Sequence, residues 1–305
     1  IELLTEGLYL RQLQDNPLLE DIDVVIFDEF HERSLNIDLA LALTREVQTE
    51  LRPDLHIIVM SATLDPGPIS QWLDASTIKV PGRTYPVSID YDTVQSDQKI
   101  TSRCAAAIRS ALKEQSDGHI LAFLPGVAEI EDVRTTLGTI EGIAILPLHG
   151  RLKSSEQDAV FAVSPRRKVI LATNIAETSV TVDGVTTVID TGLARVPCFD
   201  PVIGIERLEL QRISRASADQ RSGRAGRTGP GRCRRLWTEN SHRHLSPFLD
   251  AEIRRADLTS CALSAWVWGS GPTELGWFEH PPAAAVDSAN AVLRLIGALD
   301  DRGLT

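Results

Sequence analysis

The sequence predicts an α/β protein made of two parallel-sheet lobes, the first of them short, followed by a helical module. Three observations carry this. Short β-branched runs, Val24 to Phe27 and His56 to Met60, alternate with helix-like segments near Leu35 to Leu51 and Pro68 to Leu73. After the extended linker PGRTYPVSIDY the same rhythm restarts. Beyond His244 the composition shifts toward Ala, Leu and Trp with helical periodicity.

Each element has its own reason. Val24 to Ser34 reads VVIFDEFHERS, an apolar run that ends abruptly on two acids, the pattern of a buried parallel strand whose end faces a ligand crevice. In the second lobe a helix is expected over Ile100 to Glu114. Strands follow at Ile120 to Leu124, Ala144 to Leu148, Val169 to Ala172 and Thr187 to Ile189, with crossover helices between them. The runs ARVPCFD and IERLELQRI, separated by PVIG, read either as a projecting hairpin over Ala194 to Ile213 or as an ordinary sheet extension. Two helices, Ala251 to Trp268 and Ala283 to Leu299, flank the turn-rich SGPTELGWFEHPP. The expected divisions are residues 1–86, 87–240 and 241–305.

A chain of 305 residues with 43% hydrophobic and 24% charged residues has enough apolar content for two cores. Its formal net charge of −11 argues against a whole surface that binds polyanions, so any nucleic-acid contact must come from a local cluster. Cys104, Cys198, Cys233 and Cys261 show no metal-ligand spacing, and read as reduced core thiols of a cytoplasmic protein. No apolar run reaches the ~18 to 20 residues of a membrane span, and the opening lacks a signal-peptide pattern. The start on Ile1 rather than Met reads as the mark of a fragment.

Two stretches carry chemistry. Asp28 and Glu29 are hard oxygen donors that suit a magnesium ion bearing phosphates, with one carboxylate left to take a proton from water. A solvated pair of strand-end acids is the plain alternative. Between Arg207 and Arg235 stand nine arginines against two acids, Glu209 and Asp219, which reads as a polyanion site. On a helix Gln220, Arg224 and Arg227 would share one face, and Gly223, Ala225 and Gly226 would let that face approach a neighbour.

Five motifs in order, TEG at Thr5 to Gly7, DEFH at Asp28 to His31, SAT at Ser61 to Thr63, ATNIAETSVTVDGV at Ala172 to Val185, and QRSGRAGRTGPG from Gln220, resemble the DEAH-box helicases of superfamily 2. DEFHERSLN, the TEGLYLR opening and the tail from RADL to LIGALDDRGLT are most similar to the bacterial HrpB-type branch. The resemblance implies two RecA-like lobes, the first truncated, then the start of a winged-helix-like module. It implies an ATP-dependent RNA helicase that uses ATP and Mg2+, with 3′ to 5′ polarity, broad nucleotide use and a monomeric state.

Site roles follow from the same resemblance. Asp28 would hold the metal and Glu29 would orient and deprotonate the attacking water, both counted as metal-site residues; His31 would couple the nucleotide site to the facing lobe, or simply be structural. Gln220 would contact the γ-phosphate, with Arg224 and Arg227 as arginine fingers. Asp183 lies in the nucleotide-contacting stretch, and Phe161 either stacks on adenine or packs in a core. Thr5, Glu6 and Gly7, with Thr173, Asn174 and Thr178, would touch the nucleic-acid backbone. Arg83 and the hairpin residue Arg195 would lie by the strand, the hairpin as a wedge. Ser61, Ala62 and Thr63 would transmit lobe closure or form a turn.

One departure stands out: no GxxxxGK[ST] and no GK pair occurs anywhere. In the family that loop lies upstream of the matched region, so the fragment alone is expected to be inactive. The competing class is a non-catalytic nucleic-acid-binding module using the arginine cluster, and DNA is a third possibility as substrate.

Overall fold

A computed structural model of the chain describes residues 1–82, 85–114, 118–177, 182–200, 203–300 and 303–305. Arg83 and Thr178 therefore lie outside the described residues. In chain order the elements are α1 (Glu6–Asp15), β1 (Val24–Phe27), α2 (Leu35–Glu50), β2 (His56–Val59), α3 (Pro66–Leu73), β3 (Val87–Tyr91), α4 (Ile100–Lys113), β4 (His119–Phe123), α5 (Val127–Leu137), β5 (Ile143–Leu148) and α6 (Ser154–Phe161). They continue as β6 (Arg167–Ala172), β7 (Val185–Asp190), β8 (Leu193–Asp200), β9 (Ile205–Arg212), α7 (Arg215–Gly223), β10 (Gly231–Arg235), α8 (Glu239–Arg243), α9 (Thr259–Trp268), α10 (Ala283–Leu295), β11 (Leu299–Asp300) and β12 (Gly303–Leu304). The chain forms two compact units: residues 1–79, 197–208 and 250–305 make the first, and residues 80–196 and 209–249 the second.

The first unit is built around α2, LNIDLALALTREVQTE, whose residues Ile37 to Thr44 are all buried. A helix that is apolar on nearly every side needs partners all round. Tyr9, Leu13, Leu19, Val25 and Phe27 share one core with α2, as do Ile253, Ala262, Ala265, Trp277 and Leu293. Ser34 caps α2 by accepting the Ile37 N–H at 3.1 Å. Asp38, buried inside that run, is neutralised by Arg33.

β1 pairs in parallel with β2 from Val24–His56 to Phe27–Val59. The expectation of a buried strand is corrected here: Val25 and Phe27 are buried, whereas Val24 and Ile26 are exposed. Only β2 flanks β1 among the described residues, and only one face of the pair has a core packed on it. The helix expected from Ala251 begins only at Thr259. Asp257 Oδ1 accepts both the Thr259 N–H at 2.7 Å and its hydroxyl at 2.6 Å, which starts the helix there; a separate 3₁₀ turn covers Glu252–Arg254. The last long helix ends at Leu295 instead of Leu299, before Gly297 at φ +75° and the small β11–β12 pair.

The second unit holds a six-stranded sheet in the order β3-β10-β7-β4-β6-β5, every pairing parallel. Alternation along its central strands feeds two cores. Ile120, Ala122, Val169 and Leu171 pack with Cys104, Ile108, Ile130 and Val133 of α4 and α5. Leu121, Phe123, Ile170 and Val188 pack on the other face with Val160, Ala225 and Cys233. This is the RecA-like architecture that the resemblance implies.

Two strands of that sheet correct the sequence reading. The supposed linker segment VSIDY is the edge strand β3, and GRCRR is β10, whose Cys233 and Arg235 point inward while Arg232 and Arg234 are exposed. β8 and β9 pair as a separate two-stranded sheet. In the first unit Phe199 N–H donates to Arg255 O at 2.7 Å, and the Arg255 guanidinium donates to Pro197 O at 2.8 Å.

Candidate nucleotide and nucleic-acid half-sites

Each unit carries one group of the motif residues. In the first, β1 delivers Asp28 and Glu29 at its carboxyl end, both exposed. Glu29 N–H donates to Asp28 Oδ1 at 2.8 Å. Glu29 itself lies at φ +52°, ψ +33°, and Arg33 at φ +48°, ψ +44°, so two non-glycine residues in left-handed backbone flank a 3₁₀ turn over Phe30–Glu32. Such conformations cost about 1–3 kcal/mol each and persist only where the surroundings over-determine them.

Those surroundings are visible. Phe30 is fully buried and its N–H donates to Met60 O at 3.0 Å, while Met60 N–H donates to Phe27 O at 2.8 Å. The buried side chain of His31 accepts the Ala62 N–H on Nδ1 at 3.4 Å, and its Nε2 stands 3.3 Å from Glu29 Oε2, out of hydrogen-bond alignment. His31 is thus held to the SAT segment of its own unit and stands beside the acid. In that segment Ser61 Oγ accepts the Leu64 N–H at 3.1 Å, the turn-forming alternative for this residue, and Ala62 is exposed with Thr63 beside it half-buried.

The carboxylates fit a magnesium ion held largely through water and nucleotide oxygens. Two adjacent hard oxygen donors, one half-exposed, are what such an ion accepts, whereas no group of three or more metal-ligating side chains occurs among the described residues. Thr5 and Gly7 at the start of α1 are exposed. Glu6 instead turns inward, accepting the Ser34 hydroxyl at 2.6 Å, and burial pushes its carboxyl above the ordinary glutamate range.

In the second unit the strand order reverses across β4, and Thr173 and Asn174 follow β6 at that carboxyl end. Thr173 N–H donates to Leu148 O at 3.1 Å, leaving Asn174 exposed in a 3₁₀ turn. Asp183 is exposed just ahead of β7. Phe161, at the end of α6, is 38% exposed, so the core-aromatic alternative is corrected: the side chain lies outside both cores of its unit.

The arginine cluster divides by burial, which corrects its reading as one polyanion face. α7 ends at Gly223 and continues as a 3₁₀ turn over Arg224–Gly226, so Gln220, Arg224 and Arg227 do not line a single regular helix. Gln220 is half-buried, Arg224 buried and Arg227 exposed. The Arg224 guanidinium donates to Glu177 O through Nε at 2.9 Å and through Nη2.

Arg221 is almost wholly buried. It donates to Glu177 Oε2 at 2.8 Å and Asp190 Oδ1 at 3.0 Å, and its Cζ lies 4.8 Å from the Phe123 ring centre. Burial works against its charge, yet Asp190 and Glu177 outweigh that and hold the guanidinium above its ordinary value. Arg235 is buried as well and bonds Tyr91 and Asp219. Much of the cluster's charge is therefore spent inside the fold. Sequence reasoning missed Glu177, the residue that holds Arg221 by its side chain and Arg224 by its carbonyl. The sequence offers no separate signal for Arg221, which is buried with Ala218, Ser222 and Ala225.

The Arg195 guanidinium donates to Glu129 Oε1 on α5 at 2.9 Å and stays partly exposed. The glycines of the cluster have unequal roles. A Cβ at Gly231 would lie 2.2 Å from Ala225 O, and one at Gly226 2.7 Å from Tyr85 O, whereas at Gly223 nothing lies within 4 Å. Gly231→Ala is expected to destabilise the chain by about 1–3 kcal/mol. Gly223→Ala, at a helical φ of −58°, is expected to be neutral or to stabilise by about 0.4–1 kcal/mol. Chemical denaturation of the two variants checks the contrast.

The family described as helicase conserved C-terminal domain matches residues 103–229, the stretch that holds most of the second unit's sheet and its motif residues. Over nearly its whole length the chain is similar to DEAH-box helicases. It is 40% identical over 311 residues to the ATP-dependent RNA helicase HrpB of Escherichia coli (strain K12), covering 100% of this chain and 38% of that protein. It is 40% identical over 318 residues to the "Probable ATP-dependent RNA helicase DHX34" of Mus musculus, covering 98% and 28%. The crystal structure of the Escherichia coli DEAH/RHA helicase HrpB superposes with a TM-score of 0.90 at 39% identity, over 99% of this chain and 39% of that one. The chain thus spans less than two-fifths of the relatives it matches.

Proposed function

We propose that this chain is part of an ATP-dependent helicase that moves along single-stranded nucleic acid, most fittingly RNA, and couples ATP hydrolysis to strand separation. The observation that carries this is the turn after β1, where Asp28 and a strained Glu29 stand at a strand end with His31 tied to Ala62. Loosely solvated acids have no use for such a framework.

In this reading Asp28 would hold the metal, and Glu29 would orient the attacking water and take its proton. Magnesium, when bound, neutralises phosphate charge. Gln220 contacts the γ-phosphate and Asp183 and Phe161 the nucleoside. Arg224 and Arg227 contribute charge toward the transferring phosphoryl, a role for which Arg224 must leave or share its bonds to Glu177. Thr5, Gly7, Thr173 and Asn174 meet the backbone without reading bases, as hydroxyl, amide and main-chain groups do. Segments 1–86, 87–240 and 241–305 act as the first lobe, the second lobe and a helicase-associated module of a cytoplasmic monomer. Among the described residues no helix is long and apolar enough to cross a membrane.

A purely electrostatic binding module is the weaker reading. Arg221, Arg224 and Arg235 are buried against acids or carbonyls, so the cluster offers far less free charge than its sequence implies. The 305-residue chain, which contains no GK pair, is expected to hydrolyse ATP at background rate, and the full-length protein to do so with stimulation by RNA. Measuring strand affinity of the full-length protein on matched RNA and DNA, with and without ATP, tests the coupling. Equal affinity in all four conditions overturns it.

A further inference from the structure

Residues Arg33 to Leu35 directly follow the turn that carries Glu29, and they are gripped from distant sequence. Glu252 N–H donates to Arg33 O at 3.0 Å, while Glu252 Oε2 accepts the Leu35 N–H at 2.8 Å. One residue, 217 positions from Leu35, therefore closes a two-point bracket across Ser34. The Arg33 guanidinium forks onto Asp38 at 2.8 and 3.0 Å and reaches Glu279 Oε2 at 2.9 Å. Its Cζ lies 4.8 Å from the Phe278 ring centre and 5.5 Å from that of Phe30, the first residue of the turn. Glu279 is itself paired with Arg254, and its carboxyl lies below the ordinary glutamate range: burial works against that, but Arg254 and Arg33 prevail. On the other side Ser34 Oγ bonds Glu6 of the TEG motif.

The turn needs such a grip, since both of its flanking residues, Glu29 and Arg33, sit in left-handed backbone that a free chain leaves. Asp38 is local and fixes only the Arg33 head. The main-chain contacts across Ser34 come from Glu252, and the ring and carboxylate that complete the Arg33 cage come from Phe278 and Glu279. The segment after Asp250 thus supplies what the local sequence lacks.

We propose that Glu252 and Arg33 are positioning residues for Glu29, through which the C-terminal segment latches the catalytic turn in its strained, pre-aimed form. This rests on the hydrolytic reading above. The latch acts through the backbone of Phe30 to Leu35 and by way of Glu6 it also joins the strand-contacting motif to the same turn.

The experiment uses the full-length protein and compares Glu252→Ala, Glu252→Gln and Glu29→Gln. Glutamine keeps an acceptor for the Leu35 N–H and alanine does not. Without nucleotide, hydrogen exchange of the peptide spanning residues 28–37 is expected to accelerate several-fold in Glu252→Ala and to stay at wild-type level in Glu252→Gln. With RNA and ATP, kcat of Glu252→Ala is expected to fall about tenfold or more while KM for ATP stays within about twofold, as for a misplaced reacting group, and glutamine is expected to restore kcat. Wild-type exchange and kcat in Glu252→Ala, or equal losses in both Glu252 variants with a matching fall in Tm, overturn the latch. Should Glu252→Ala not fold, Arg33→Lys, which keeps the charge but loses the fork, is expected to give the same split between kcat and KM, and an unchanged kcat overturns it. Glu29→Gln with wild-type turnover defeats the hydrolytic reading itself, while the nucleotide-free exchange still judges the latch.

Discussion

Glu29→Gln in the full-length protein is expected to lower ATP turnover by about 10² to 10⁴-fold while leaving nucleotide affinity and Tm close to wild type. The substitution preserves shape, the contact with His31 and the hydrogen bond from Glu29 N–H to Asp28, which is made by the backbone. What it removes is the basicity of one half-exposed carboxylate. Asp28→Asn serves as the contrast, since it weakens metal binding and is expected to raise the magnesium concentration needed for half-maximal activity. Single-turnover hydrolysis together with equilibrium binding of a fluorescent ATP analogue separates the two effects. Turnover of Glu29→Gln within threefold of wild type sinks the assignment.

Arg221→Ala carries the largest expected effect on stability. The substitution strands Asp190, which is completely buried, and removes the partner of Glu177 and the cation over Phe123. Breaking a buried pair by deleting one member costs about 3–5 kcal/mol, because the remaining charge is left without compensation. For a unit of this size that corresponds to a fall in Tm on the order of 10 °C. Arg221→Lys is expected to recover less than half of it, since an ammonium cannot reach two carboxylates as a planar fork does. Thermal unfolding of the three proteins followed by circular dichroism is the check, and a change under 1 °C for the alanine variant contradicts the network's role. The same variant is expected to loosen Arg224, because Glu177 holds both arginines.

The contrast between Arg221, which is buried, and Arg227, which is exposed, marks how far the sequence can be read. Short apolar strands such as Val24–Phe27 and Arg167–Ala172 announce themselves by β-branched residues, and the acids at the end of the first announce a site. Nothing in a run of arginines says which of them are inside. That is decided by Asp190, Glu177 and Asp219, whose positions depend on sheet order. For the same reason GRCRR escapes notice as a strand: Arg235 enters the interior only because Tyr91 and Asp219 meet it there. VSIDY follows a proline and alternates weakly, so it reads as a linker until β10 pairs with it. The grip of Glu252 on Arg33 and Leu35 is less legible still, since no spacing rule connects positions more than two hundred residues apart.

The interleaving of the two units has a consequence for biosynthesis. The core around α2 draws on residues 9–73 and again on residues 251–299, whereas residues 80–249 contain nearly everything the second unit needs. A ribosome making this chain therefore releases the early apolar segment long before its late partners exist, with a delay on the order of ten to forty seconds at ordinary elongation rates. During that interval Leu39, Leu41 and Leu43 lack the part of their interior that residues 251–299 provide, which makes this apolar stretch a natural client of a holding chaperone until those residues arrive.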